Sequence, residues 1–229
     1  MKEMTNSEAR IRLASLRRSG QRTRVSIDGF HSAGVLVPVI LGAHGPELLF
    51  TKRTEFVETH KGQVSFPGGL MDPEDGDLIH TALREAWEEV GIPHTSVEVM
   101  GMLDDLPTPT GFVITPVVGL LEKLPALSPN STEVAEVFQV PLLFFADPEN
   151  GRTEVREFRG EQHDVWYFRT SGHTIWGATA QEDGPRLVPF QLILPNNVQV
   201  KLLLECGSRH HFCGGIRPIS NAPRGAAWQ

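Results

Sequence analysis

Three carboxylates crowd into five residues at Glu85, Glu88 and Glu89, within the stretch Arg84-Glu85-Ala86-Trp87-Glu88-Glu89-Val90-Gly91. On a helix of 3.6 residues per turn they share one face, where like charges repel by a few tenths of a kcal/mol per pair. A solvated acidic face would be balanced by cations, yet only Arg84, four residues before Glu88, offers one on this helix. A hard divalent cation is the alternative that removes the repulsion. Mg²⁺ and Mn²⁺ take carboxylate oxygens and water, and Mg²⁺ is commonly completed by substrate phosphate oxygens. The spacing therefore points to a phosphate-processing site, with a solvated face as the competing reading.

Such a cluster needs a helix and a framework to hold it. Ile79, Leu83, Ala86 and Val90 recur at helical spacing, Asp77 serves as a first-turn acid, and Gly91 with Pro93 stops the pattern, which predicts a helix over Asp77 to Val90. Upstream, Ala33 to Leu41 reads as a buried strand, Gly42, Gly45 and Pro46 as its break, and Leu48 to Lys52 as the second arm of a hairpin. Gln63 to Phe66 is a short strand that stops at Pro67-Gly68-Gly69, a loop whose glycines permit positive φ and close backbone approach. Downstream, strands are expected at Val97 to Leu103, Val113 to Leu121, Glu133 to Val140, Glu154 to Phe158 and Val165 to Arg169, with a loop over Pro107 to Gly111 and a helical turn over Pro141 to Ala146. Strands on both sides of one central helix indicate an α/β domain with a mixed sheet.

Composition narrows the function classes. The chain has 229 residues, 40% hydrophobic and 21% charged, as expected of a globular domain. Its longest apolar run, from Ala33 to Leu41, is about half of the roughly 20 residues that span a bilayer. Net charge is -7, although residues 1–24 hold seven basic side chains against Glu3 and Glu8, so the remainder is more acidic still. An acidic body argues against clamping a nucleic-acid backbone and suits metal ions. For the basic N-terminus, a solvated helix with Ile11, Leu13 and Leu16 packed inward is favoured over a targeting segment or a nucleic-acid arm. Cys206 and Cys213 are too close together to staple the body, and no secretory signal is evident, so a reducing, intracellular and most simply cytoplasmic setting is expected. Cys206, His210, His211 and Cys213 match no familiar zinc spacing, Asn130-Ser131-Thr132 is a glycosylation acceptor in form only, and no P-loop or dinucleotide fingerprint is found.

Arg84-Glu85-x-x-Glu88-Glu89-x-Gly91-Ile92, preceded by Gly69, resembles the signature box of the Nudix hydrolases, which cleave nucleoside diphosphates linked to another group. The box departs from the family pattern in its loop: Gly69 precedes Arg84 by fifteen residues rather than fourteen, and Asp75 stands at the first acidic position. Leu48-Leu49-Phe50-Thr51-Lys52-Arg53 followed by His60-Lys61-Gly62-Gln63-Val64-Ser65-Phe66-Pro67-Gly68-Gly69 is similar to the upstream motif of the coenzyme A pyrophosphatase subgroup, without the usual arginine between Arg53 and His60. Further matches at Thr110-Gly111-Phe112, Glu133-Val134 and Trp176-Gly177-Ala178-Thr179-Ala180 extend the likeness over roughly residues 30 to 180.

The resemblance implies a Nudix-type α/β/α sandwich with a mixed β-sheet and a catalytic loop-helix-loop. It implies an N-terminal helical extension over 1–29, the hydrolase domain over 30–180, and an atypical, poorly packed tail over 181–229, because Gln181 to Pro185 breaks the helix that usually opens there. It implies metal-dependent hydrolysis of coenzyme A and acyl-coenzyme A with Mg²⁺ or Mn²⁺. Glu85 and Glu89 are the expected principal metal ligands, Glu88 a third or water-bridged one, and the Gly69 carbonyl a contributor. Arg84 orients a carboxylate, while Glu88, Glu89 and Glu133 are candidates for the base. Arg53, His60 and Lys61 are the expected substrate contacts. The expected partner is a small nucleotide, with neither nucleic acid nor membrane. Another nucleoside diphosphate derivative as substrate, or a catalytically silent Nudix-like binding module, are the alternatives.

Overall fold

The structure is a computed structural model that describes residues 4–19, 22–56, 61–108, 110–158, 161–170 and 172–178; His60 and the expected tail over 181–229, with its Cys206, His210, His211 and Cys213, lie outside the described residues. Its frame is a mixed sheet built around strand β1 (His31–Gly42), which turns at Gly42 and Gly45 into antiparallel β2 (Gly45–Arg53). On its other side β1 runs parallel to β7 (Phe112–Leu121) over ten residue pairs, from His31↔Phe112 to Ile40↔Leu121. The short strands β3 (Val64–Ser65) and β4 (Gly68–Leu70) pair with β2 and β1, while β5 (Glu98–Met102) and β6 (Leu106–Pro107) pair with β7. Strand β8 (Val134–Pro141) lies against β2 and continues into a 3-10 turn, Leu142–Ala146. A second, antiparallel sheet follows, in the order β11 (Thr174–Ala178), β10 (Glu161–Arg169), β9 (Gly151–Phe158).

Both faces of the main sheet are covered, which explains why β1 reads as a continuous apolar run rather than an alternating one. Leu36 and Ile40 of β1 join Leu49, Val117 and Leu121 beneath helix α2 (Leu78–Val90), whose Ala82, Ala86 and Val90 are fully buried. Val35, Val37 and Val39 point the other way, into a core with Phe50, Phe145 and Phe168, closed by the small sheet and by helix α1 (Asn6–Ser19). This is the expected α/β/α sandwich. No helix among the described residues is long and apolar enough to cross a membrane.

Helix α2 is fixed at both ends by local chemistry. Asp77 is its N-cap, accepting from the N–H groups of Ile79 at 3.0 Å and His80 at 2.9 Å, rather than lying inside the first turn. Gly91 ends it at φ 76°, and the N–H groups of Gly91 and Ile92 bond to the carbonyls of Trp87 and Ala86.

Two expectations are corrected, and one element is added. Ile11 is exposed at 66%, because the buried stripe of α1 runs through Ala9, Leu13 and Leu16, and Ile11 falls on the opposite side of the helix. Gly68 and Gly69 do not use positive φ; they form β4, where the absence of a side chain permits close approach. Trp176 to Ala178 belongs to a strand, since cross-strand pairing with Val165 to Tyr167 captures it. The basic N-terminal segment is partly spent on internal pairs: Arg10 meets Glu98 and Glu122, and Arg22 binds buried Asp105 at 2.5 Å, which also accepts from the Thr115 hydroxyl and the Val25 N–H.

Gly34 sets the distance between sheet and helix, since a Cβ there would stand 2.5 Å from the Leu78 carbonyl oxygen. Gly34→Ala should destabilise the protein by about 1–3 kcal/mol through overpacking, read as a lower urea midpoint with unchanged slope; an unchanged midpoint would mean that the helix is free to shift.

Candidate active site

The acidic face of α2 does not look into solvent. Glu85 and Glu89, one turn apart, are only 4% and 3% exposed, whereas the Glu88 side chain stays 30% exposed. Burying two neighbouring carboxylates costs far more than the surface repulsion anticipated from spacing alone. Strand β4 makes the burial geometrically feasible: a Cβ on Gly69 would land on the Glu85 carboxylate, and one on Gly68 would meet Val35 and the Gly34 carbonyl at 2.7 Å.

Arg84 is the cation that holds this arrangement. Its Nη1 donates to Glu85 at 2.7 Å, its Nη2 to the Leu70 carbonyl at 3.0 Å, and its Nε and Nη2 grip the two oxygens of Asp75 at 3.1 and 3.0 Å. This bidentate pair identifies a role for the lengthened loop. Asp75 also accepts from the Asp72 N–H and the Thr81 hydroxyl. Burial pushes the Asp75 carboxyl up, but the Arg84 guanidinium and the N–H and O–H donors outweigh it and leave it below its ordinary value. The hydrogen bond to Asp75 in turn raises Arg84.

Glu89 has the opposite balance. Burial, followed by the charge of Glu85, pushes its pKa up to about 8, with Glu133 adding to the rise; Arg53 and the Gly68 N–H oppose it. The Gly68 N–H donates to Glu89 Oε2 at 3.3 Å, and Arg53 Nη1 stands 3.7 Å from Oε1. Arg53 is itself 7% exposed, and its buried Nε has no hydrogen-bond partner among the described residues. Glu133 reaches the site on a turn that is tied to α2: the Asn130 N–H bonds the Glu89 carbonyl at 2.8 Å, and the Asn130 amide donates to Glu133 at 3.2 Å. Asn130 also caps Thr132, so its place in the sequence has a local structural purpose.

The structure thus gathers Arg53, Gly69, Arg84, Glu85, Glu89 and Glu133, with Glu88 at the rim. Lys61 sits exposed on the turn that precedes β3. Asp75 is the functional candidate whose role sequence reading left unassigned; its signal was an acid at the first acidic position of the loop.

Among the described residues no group of three His, Cys, Asp or Glu side chains stands at metal-holding spacing. The donor chemistry nevertheless fits a hard divalent cation. Glu85 and Glu89 are buried carboxylates, each raising the other's cost of ionisation, and a cation between them would reverse that cost.

A family model described as the NUDIX domain matches residues 30–170. The chain belongs to the Nudix hydrolase family. Curated relatives include proteins named "Uncharacterized Nudix hydrolase NudL" from Photorhabdus laumondii, 44% identical over 69% of this chain and 83% of the relative, and from Yersinia enterocolitica, 40% identical over 66% and 76%. Among solved structures, a C. elegans Ap4A hydrolase binary complex aligns with a TM-score of 0.43 and 19% identity, covering 48% of this chain and 80% of that one. Nudix hydrolases act on small nucleotide substrates and generally use divalent metal ions, in keeping with this donor set.

Folded Glu89 keeps its proton up to about pH 8, while the ordinary value is 4.5. Between those values the folded state of this Nudix domain binds more protons than the unfolded state, so without metal its stability should fall as pH rises and level off above about 8. Urea unfolding in EDTA across this range checks the slope, and Glu89→Gln should flatten it. Added Mn²⁺ should stabilise more strongly at the alkaline end. A second outcome concerns Arg84: Asp75→Ala should cut turnover at least tenfold by releasing the guanidinium from its bidentate partner, while Asp75→Glu restores part of it.

Proposed function

We propose that this Nudix hydrolase cleaves the pyrophosphate of coenzyme A and acyl-coenzyme A, releasing adenosine 3′,5′-bisphosphate and (acyl-)4′-phosphopantetheine. The observation that carries the reading is the meeting of two motifs. Arg53, from the segment that resembles the coenzyme A subgroup, stands 3.7 Å from Glu89 of the acidic helix, and Gly68, from the end of the same segment, donates to that carboxylate. An arginine with a buried, unpartnered Nε beside a carboxylate site suits a phosphate oxygen.

In this reaction a water oxygen bonds to one phosphorus, the bridging P–O bond breaks, and its electron pair stays on the departing phosphate; one water is consumed. Glu85 and Glu89, with Glu88 and the Gly69 carbonyl, would hold Mg²⁺ or Mn²⁺, which would supply neutralisation of the non-bridging oxygens. Arg84 keeps Glu85 in place through its simultaneous grip on Asp75. Arg53 has two tasks, contacting phosphate and countering the charge of Glu89. Glu88, Glu89 and Glu133 are the carboxylates available to accept the water proton, and Glu133 is anchored for it by Asn130. Lys61 and His60, in the same motif, are assigned to phosphate or adenylate contacts.

The test is a panel of coenzyme A, acyl-coenzyme A, ADP-ribose and NADH with Mg²⁺, products identified by mass. Coenzyme A cleavage, abolished by chelation, is expected; turnover of ADP-ribose with coenzyme A untouched rejects the substrate. Glu89→Gln should remove turnover by about a hundredfold or more while binding survives. Arg53→Ala should raise KM about tenfold and also lower kcat, because the guanidinium faces both substrate and Glu89; KM and kcat both unchanged in the folded variant removes Arg53 from the site.

A further inference from the structure

A second concavity, of about 350 Å³, lies where the β2–β3 edge meets the β10–β11 hairpin, lined by Lys52, Gln63, Val64, Tyr167, His173 and Trp176 among others. We infer that this cleft seats the nucleotide end of the substrate, with Tyr167 and Trp176 as the aromatic wall for the base and Lys52 as the contact for a phosphate on its sugar. Naming the ligand rests on the pyrophosphatase reading above.

Lys52 and Arg53 are consecutive in β2, so their side chains leave opposite faces of the strand. Arg53 turns to Glu89, and Lys52 lines the cleft. The Arg53 N–H bonds the Gln63 carbonyl at 2.8 Å, so cleft and carboxylate site share one sheet edge, and a two-ended substrate can engage both across it. The acid opposite Lys52 in β8 is Glu136, but its carboxylate is 3.0 Å from His173 Nε2, and that ring is stacked on Phe138 at 3.8 Å. No ion pair or hydrogen bond of the Lys52 ammonium is formed among the described residues, and it stands half-buried beside aromatic rings. Tyr167 and Trp176 are a cross-strand pair with rings 6.0 Å apart and 14° from parallel, and the Arg152 guanidinium lies 5.5 Å from the Tyr167 centroid. Aromatic side chains stack any base, and a lysine is a point charge for phosphate. The volume is in the range of small-molecule sites.

The experiment is calorimetric titration of the full chain with adenosine 3′,5′-bisphosphate in EDTA, which reads recognition without metal or turnover. Lys52→Ala and Trp176→Leu should each weaken binding about tenfold, Lys52→Arg should restore most of it, and in the coenzyme A assay the same variants should raise KM more than they lower kcat. Urea midpoints establish that each variant is folded. Unchanged affinity in both folded variants overturns the assignment, as does displacement of the probe by 4′-phosphopantetheine alone. Failure of the pyrophosphatase reading is distinct: wild-type protein would then leave coenzyme A intact while the variants still changed binding of the probe.

Discussion

Two glutamate side chains at the heart of this protein are buried one helical turn apart, and the surrounding structure is organised around making that bearable. A carboxylate withdrawn from water needs donors or cations, and two together need them more. Glu85 receives the Arg84 guanidinium, and Glu89 receives the Gly68 N–H and, at longer range, Arg53. These provisions are unequal. Arg84 is held by Asp75 and the Leu70 carbonyl as well as by Glu85, whereas Arg53 touches Glu89 only loosely and its Nε has no partner among the described residues. Charge compensation at Glu89 is therefore incomplete within the described protein, and this is where an exogenous cation and an anionic substrate have most to gain.

Close packing delivers that geometry. Gly34, Gly68 and Gly69 lie on adjacent strands, β1 and β4, and each has backbone or carboxylate where a Cβ would go. Side chains there would hold α2 off the sheet and push Glu85 out of its seat. The helix is further set in rotation by Ala82, Ala86 and Val90 beneath it, and in length by Asp77 and Gly91 at its ends. The turn carrying Glu133 is fastened to the last turn of the same helix through Asn130. One helix thus fixes the coordinates of four acidic side chains contributed by two separated segments.

Much of this was legible in the sequence because it is local. Helical periodicity from Ile79 to Val90, the capping residues, the hairpin break at Gly42 and Gly45 and the β-prone runs all follow from short-range chemistry and recur in the structure, although β2 and β9 begin three residues earlier than expected and β10 four. Ile11 was misplaced because its neighbours at helical spacing allow two stripes, and only docking onto the sheet chose Ala9, Leu13 and Leu16. Strand β11 escaped notice because its pairing with β10 is a tertiary fact, indifferent to the small residues that follow it.

The sequence by itself determined most of the secondary elements, the mixed α/β class and the acidic helix whose spacing calls for a cation, since each depends on residues within a few positions of one another. Tertiary structure alone decided that Glu85 and Glu89 are buried while Glu88 is not, that Asp75 is the partner of Arg84, and that Arg53 faces Glu89 while Lys52 lines a cleft on the other side of the same strand. Burial, ion pairing and pKa depend on which distant segments a side chain meets, and sequence spacing carries no record of that meeting.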